Sequence, residues 1–176
     1  MQVEKLAEGL WWWTGQLASG EEVGSVYYEQ GDRVYLFDPI VPPEDADVFL
    51  KALDRDMSRF DGRGEVLLTS ARHRRDADLL TERYRDVRIV DTPAASTIST
   101  IPASAGEVMY VLSSHASLIV GDAIVGSERG LAFGDGRASG ILRTLLDIPI
   151  ERVLVSHGPP VRADGAEALY ALLARG

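Results

Sequence analysis

Residues 66–69, Val-Leu-Leu-Thr, read as a buried strand, and the chain then runs Ser70-Ala71-Arg72-His73-Arg74-Arg75-Asp76 before turning helical. Strand, tight polar turn and helix start is a layout that suits a cluster of metal-ligating histidines and aspartates. Three arginines occupy it here. A helix start carries partial positive charge, so each arginine there is unfavourable by roughly 0.3–1 kcal/mol and asks for a compensating anion. Backbone N–H groups and a guanidinium fork together suit phosphate or carboxylate. The plainer reading is a solvated helix start. The chain has three histidines (His73, His115, His157) and no cysteine. A two-metal site built mainly on imidazole cannot be assembled from these, and thiolate chemistry is excluded. Ser70 has no convincing base and acid set around it, so no serine-type mechanism is assigned.

The elements that must position these residues come from one domain, expected to span 1–176. With 176 residues, 45% hydrophobic and 26% charged, the composition is that of a globular protein with a real core. No apolar run reaches the roughly 18 residues of a membrane span. The start, "MQVEKLAEGLWWW", lacks a basic-then-apolar signal pattern, so a cytoplasmic location is expected. A net charge of −9 argues against nucleic acid, whose phosphates it would repel, but not against a small anion in a local basic pocket.

"LAEGLWWWTGQ" reads as a strand. Alternation puts Trp11 and Trp13 on one face and Trp12 on the other, one face core and the other a possible rim for a ligand or partner. Val26–Glu29 and Arg33–Asp38 read as a hairpin turning at Gln30-Gly31-Asp32. "PPEDADVFLKALDRDM" has prolines and acids at its start and apolar Val48, Phe49, Ala52 and Leu53, a helix signature. Residues 74–84 read as a helix on Ala77, Leu80 and Tyr84, and "DVRIVDT" as a strand. "TPAASTISTIPASAG" reads as a loop or an irregular extended segment. Two strands, 107–112 and 117–120, flank "SSHA". The segment "RASGILRTLLDIP" reads as a helix, "ERVLVSHGPPV" as a strand running into a loop, and "ADGAEALYALLARG" as a last helix. The expected fold class is α/β: an αββα sandwich of two mixed sheets packed face to face, with helices on the outer faces.

In the order of these elements the chain resembles the metallo-β-lactamase fold superfamily over nearly its whole length. The carriers are the hairpin ending "LFDP", "LLT" with its polar turn and helix, "VGDAIVG", and "VLVSHGPP" after a further helix. The resemblance implies a structural role for Asp38, bracing the site loop. It makes Asp122 the aspartate that bridges metals and His157 the final histidine ligand. The His-x-His-x-Asp-His loop of the family departs: with Thr69 as anchor, its positions carry Ser70, Arg72, Arg74 and Arg75. No histidine stands in the stretch before Asp122 that should supply another ligand, and His115 is too close to Asp122 and sits in a turn.

Three functions follow as expectations. The first is a metal-free, non-catalytic member of the fold, a binding or scaffold protein that takes no cofactor. It would be a homodimer through the tryptophan strand in one arrangement, with Arg72 (or Arg74 or Arg75) filling the vacated site by a salt bridge to Asp122. The second is a one-zinc hydrolase of an ester, amide or thioester on Asp122, His157 and His73, provided that His73 turns inward from a place one residue off register. The third is a metal-free enzyme or sensor that binds a small anionic ligand with the arginines. A divalent ion about 6 Å from one arginine is repelled by roughly 5–6 kcal/mol at an effective dielectric near 20, which favours the metal-free readings. On those readings His73 is exposed, Asp76 caps its helix or pairs with an arginine, and His157 bonds Asp122 or backbone.

Overall fold

The computed structural model describes residues 1–104, 106–134 and 143–175, which form two compact units. The first comprises Met1–Leu68 and Arg72–Ala95, the second Thr69–Ala71 and Ser96–Gly176.

In the first unit β1 (Val3–Ala7), β2 (Leu10–Gln16), β3 (Glu22–Gln30), β4 (Arg33–Phe37), β5 (Gly64–Leu67) and β6 (Val87–Ile89) form one six-stranded sheet in chain order. The first four strands pair antiparallel as hairpins, and β4, β5 and β6 pair parallel. The tryptophan segment is thus two strands, because Gly9 turns the chain at φ 70° before β2. The Gly31-Asp32 turn lies as the sequence predicts, with Gln30 opposite Arg33 and Gly31 at φ 64°. The parallel strands need crossovers, and α1 (Ala46–Ser58) and α2 (Ala77–Arg83) supply them. Leu53 and Met57 of α1 and Ala77 and Leu80 of α2 pack with Trp13, Leu36 and Val66 in one apolar cluster. Val48, read as part of the apolar stripe, is 65% exposed instead. Trp12 and Trp13 are buried and Trp11 is half-buried.

Tyr35 on β4 is 1% exposed, and burial, helped by the charge of Glu65, pushes its phenol up to about 12. A raised folded-state value means that the folded chain keeps a proton the unfolded chain has lost. This contribution is whole below the ordinary 10.0 and is lost as pH rises to about 12. Ultraviolet titration is expected to show a phenolate step near that pH in the folded chain that Tyr35→Phe removes. The same step at the ordinary tyrosine pH would contradict it.

The second unit holds a four-stranded sheet in the order β12 (Arg152–Val155), β9 (Ser117–Val120), β8 (Glu107–Leu112), β7 (Ile98–Ser104). The pair β12 and β9 is parallel and the others antiparallel. A hairpin of β10 (Ile124–Ser127) and β11 (Gly130–Phe133) is separate. The helix α3 (Gly165–Arg175) buries Leu169 and Leu172 against Val153 and Val155. Segment 98–104, expected as a loop or an irregular extended segment, is an edge strand, the extended alternative in regular form. Its Ile and Thr favour extended backbone, and an edge tolerates Pro102, which has no N–H to give. Of the helix expected at 137–149, residues 137–142 lie outside the described residues, and 143–145 are helical. Among those described, Leu145 is buried in the second unit's core. No helix among the described residues is long and apolar enough to cross a membrane.

Candidate functional site

Asp38 follows β4 at φ 45°, a left-handed conformation that aspartate tolerates better than most residues. It is 1% exposed. Its carbonyl accepts from Ser25 Oγ at 2.6 Å and from Arg75 Nη1 at 2.8 Å. Its carboxylate Oδ2 lies 3.0 Å from His73 Nδ1. An ionised carboxylate only accepts, so Nδ1 donates and Nε2 becomes the acceptor nitrogen of the ring. Asp76 Oδ2 accepts from the Val41 N–H at 2.7 Å, and the Asp76 N–H donates to the Pro39 carbonyl at 3.2 Å. The loop after β4 and the turn carrying His73 are stitched together on both sides.

Two expectations are corrected here. His73 is buried, 5% exposed, because its neighbours Arg72 and Arg74 take the solvent side of the turn while His73 takes the side of Asp38. Asp76 makes no side-chain cap to α2, since its carboxylate is used by Val41.

Asp122 and His157 meet because of sheet topology. β9 and β12 run parallel, with Val120 opposite Val155, so the residues that follow leave the sheet at the same end. The Ser156 N–H donates to the Val120 carbonyl at 3.0 Å, and His157 Nε2 then lies 3.1 Å from Asp122 Oδ1. Both side chains are about one-fifth exposed, 22% and 23%. Buried Glu107, which the sequence reading passed over, accepts the Ala123 N–H on Oε1 at 2.8 Å and fixes the turn beside Asp122. The hairpin β10–β11 was also missed. It grips the other side of His157, whose carbonyl accepts from the Gly126 N–H at 2.8 Å. The fit is possible only for glycine. A Cβ on Gly126 would lie 2.1 Å from the Pro159 carbonyl oxygen, and one on Gly158 would lie 2.2 Å from that of Gly126.

The arginines divide. Arg74 is exposed and grips Asp78 through Nε at 2.7 Å and Nη2 at 2.6 Å, which holds the Asp78 carboxyl below its usual range. Arg75 spends Nη1 on the carbonyls of Gly24 and Asp38, both at 2.8 Å. Arg72 is exposed beside buried His73. Ser70 is buried and forms a bridge to Glu107. His115 sits in the turn between β8 and β9, its Nδ1 2.9 Å from Ser114 Oγ. His73 in the first unit and Asp122 and His157 in the second are of the residue types that ligate a divalent metal.

The whole chain matches solved structures of one architecture. A putative diflavin flavoprotein A 5 (fragment 1–254) from Nostoc sp. PCC 7120 aligns with a TM-score of 0.70 at 14% identity, over 98% of this chain and 95% of that one. A metallo-β-lactamase from Erythrobacter litoralis aligns at 0.62 and 16% identity, over 99% and 92%. The DIM-1 metallo-β-lactamase aligns at 0.62 and 11% identity, over 99% and 97%. No family model and no curated protein matches the sequence. This chain has the metallo-β-lactamase fold. At such identities the likeness carries the fold alone, and the chemistry has to come from the residues.

Proposed function

We propose that this chain holds a single divalent metal, zinc by ligand type, on His73, Asp122 and His157, and hydrolyses an ester, amide or thioester. The observation that carries the proposal is the burial of His73 with Nδ1 held by the Asp38 carboxylate at 3.0 Å. A histidine ligand ordinarily gives its other N–H to a carboxylate or carbonyl, which fixes tautomer and ring orientation and raises its basicity. Two imidazoles and one carboxylate are also the ligand number that catalytic zinc takes from protein, with a fourth position left for water or substrate. When bound, the metal would polarise the scissile carbonyl and acidify a water. Asp38 orients His73, while Glu107 and Gly126 hold the turns that present Asp122 and His157. The repulsion expected from three arginines is reduced, since Arg74 is committed to Asp78 and Arg75 to two backbone carbonyls.

The second reading is a metal-free binding protein for a small anion, without catalysis. It is favoured by Ser70, Arg72, Arg74 and Arg75 standing where the fold's metal loop carries ligands, and by the exposure of Arg72.

Metal analysis separates the two. Protein purified without a histidine tag and dialysed against zinc is expected to retain about one ion per chain. His73→Ala, Asp122→Ala and His157→Ala should each abolish retention. No retained zinc, with a melting temperature indifferent to chelator, would transfer the conclusion to the metal-free reading.

A further inference from the structure

The first unit contains a cavity of about 250 Å³ that the metal ligands do not line. Its walls are aromatic: Trp11, Trp13, Tyr27 and Phe49 all face it, with Ala52 of α1 as floor. Trp11 stands edge-on to Tyr27, with ring centroids 5.2 Å apart, and Trp13 lies 5.4 Å from Phe49. A concave, mostly apolar and aromatic opening is the form that small-molecule sites take. The rim is unusual. Val3 and Val48, 53% and 65% exposed, both border it. Large aliphatic groups are thus left in water around a half-open aromatic pocket.

Two wall residues carry charge: the Met1 ammonium, already paired with Asp45 Oδ2 at 3.2 Å, and Asp56, whose side chain is 38% exposed. Arg59 Nη2 lies 3.3 Å from the Asp56 carboxylate and is shared with Glu29, to which it is bonded more closely. A neutral guest would take water from the Asp56 carboxylate without replacing it, whereas a cationic guest would replace it. The Lys5 ammonium already lies over the Trp11 ring, 5.3 Å from its centroid, so indole and ammonium are compatible here. The net charge of −9 favours a cation too.

We infer that this cavity binds a small organic amine with an aromatic or aliphatic body, its ammonium directed to Asp56 and its body among Trp11, Trp13, Tyr27 and Phe49. An engineered cavity of about 150 Å³ takes benzene, so a space of this size suits a molecule of about ten non-hydrogen atoms. The inference is independent of the metal proposal.

The test uses three probes of similar body and different charge: phenethylamine, ethylbenzene and phenylacetate. Binding to the full chain is followed by tryptophan fluorescence and calorimetry. Phenethylamine is expected to bind at least about tenfold more tightly than phenylacetate, the factor that about 1.4 kcal/mol of charge discrimination gives. Asp56→Asn should erase that preference and leave ethylbenzene unaffected. Ala52→Phe fills the floor and should abolish binding of all three. Should Ala52→Phe not fold, the Asp56→Asn comparison decides. Equal binding of amine and carboxylate overturns the inference, as does no binding of phenethylamine up to its solubility limit. So does a concentration-dependent dimer that Ala52→Phe dissociates while no probe binds, which would make this face an interface between copies.

Discussion

Gly126→Ala is expected to destabilise the chain by about 3 kcal/mol or more, the upper range for a forced steric insertion. The added Cβ would meet the Pro159 carbonyl oxygen at 2.1 Å and its nitrogen at 2.6 Å. Both are backbone atoms, so no side-chain rotation relieves the clash, and either β10 or the loop after His157 has to move. Moving that loop breaks the Gly126 N–H bond to the His157 carbonyl and displaces the imidazole from Asp122. At about 2–4 °C per kcal/mol for a chain of this size, thermal unfolding should show a fall of roughly 6–12 °C. Gly158→Ala meets the same contact from the other side, at φ 79°. The double variant should therefore cost less than the sum of the singles, since one displacement relieves both clashes. Full additivity would mean that the two glycines do not share a contact.

The second large effect is at Asp38. Asp38→Ala removes the carboxylate from buried His73 and leaves the imidazole without that partner. Leaving a buried hydrogen-bonding group without its partner costs about 1–3 kcal/mol. Alanine also fits φ 45° less well than aspartate, by roughly 1–2 kcal/mol. Asp38→Asn separates the contributions. It tolerates the left-handed backbone and keeps an oxygen that His73 Nδ1 can bond, so it should cost less than half as much in a denaturant titration. Its expected signature lies elsewhere: zinc affinity lowered about 10- to 100-fold, the usual effect of losing the carboxylate behind a histidine ligand. A zinc affinity unchanged in Asp38→Asn would reduce Asp38 to a purely structural brace.

The parts of the fold that sequence exposes are those where one residue's chemistry sets the local geometry. Gly31-Asp32 demands a tight turn, and the hairpin of β3 and β4 is there. The parallel pair β9 and β12 delivers Asp122 and His157 to one end, as the order of "VGDA" and "SHGPP" implies. His73 was harder because its immediate neighbours are charged, and a single inward residue in a basic run leaves no local pattern. Helical spacing does not carry it either, since Arg75 at φ 38° separates the turn of His73 from α2. The hairpin of β10 and β11 and the role of Glu107 had no local signal. Both act through contacts to distant backbone: the Ala123 amide lies 16 residues after Glu107.

The sheet of the first unit follows chain order, and that order has a consequence for how the chain is made. Each pairing from β1 to β4 closes a short loop, so the meander of Val3–Phe37 costs little entropy to assemble and can form while the rest is still being synthesised. The pairing of β9 with β12 instead joins Val120 to Val155 across a long intervening stretch, and parallel pairings of that kind are slow. His157 lies just beyond β12, so the last ligand of the proposed centre is both the latest to leave the ribosome and the one that waits on the slowest pairing. A nascent chain stalled before it would carry a folded sheet, with His73 already braced, and no complete place for an ion.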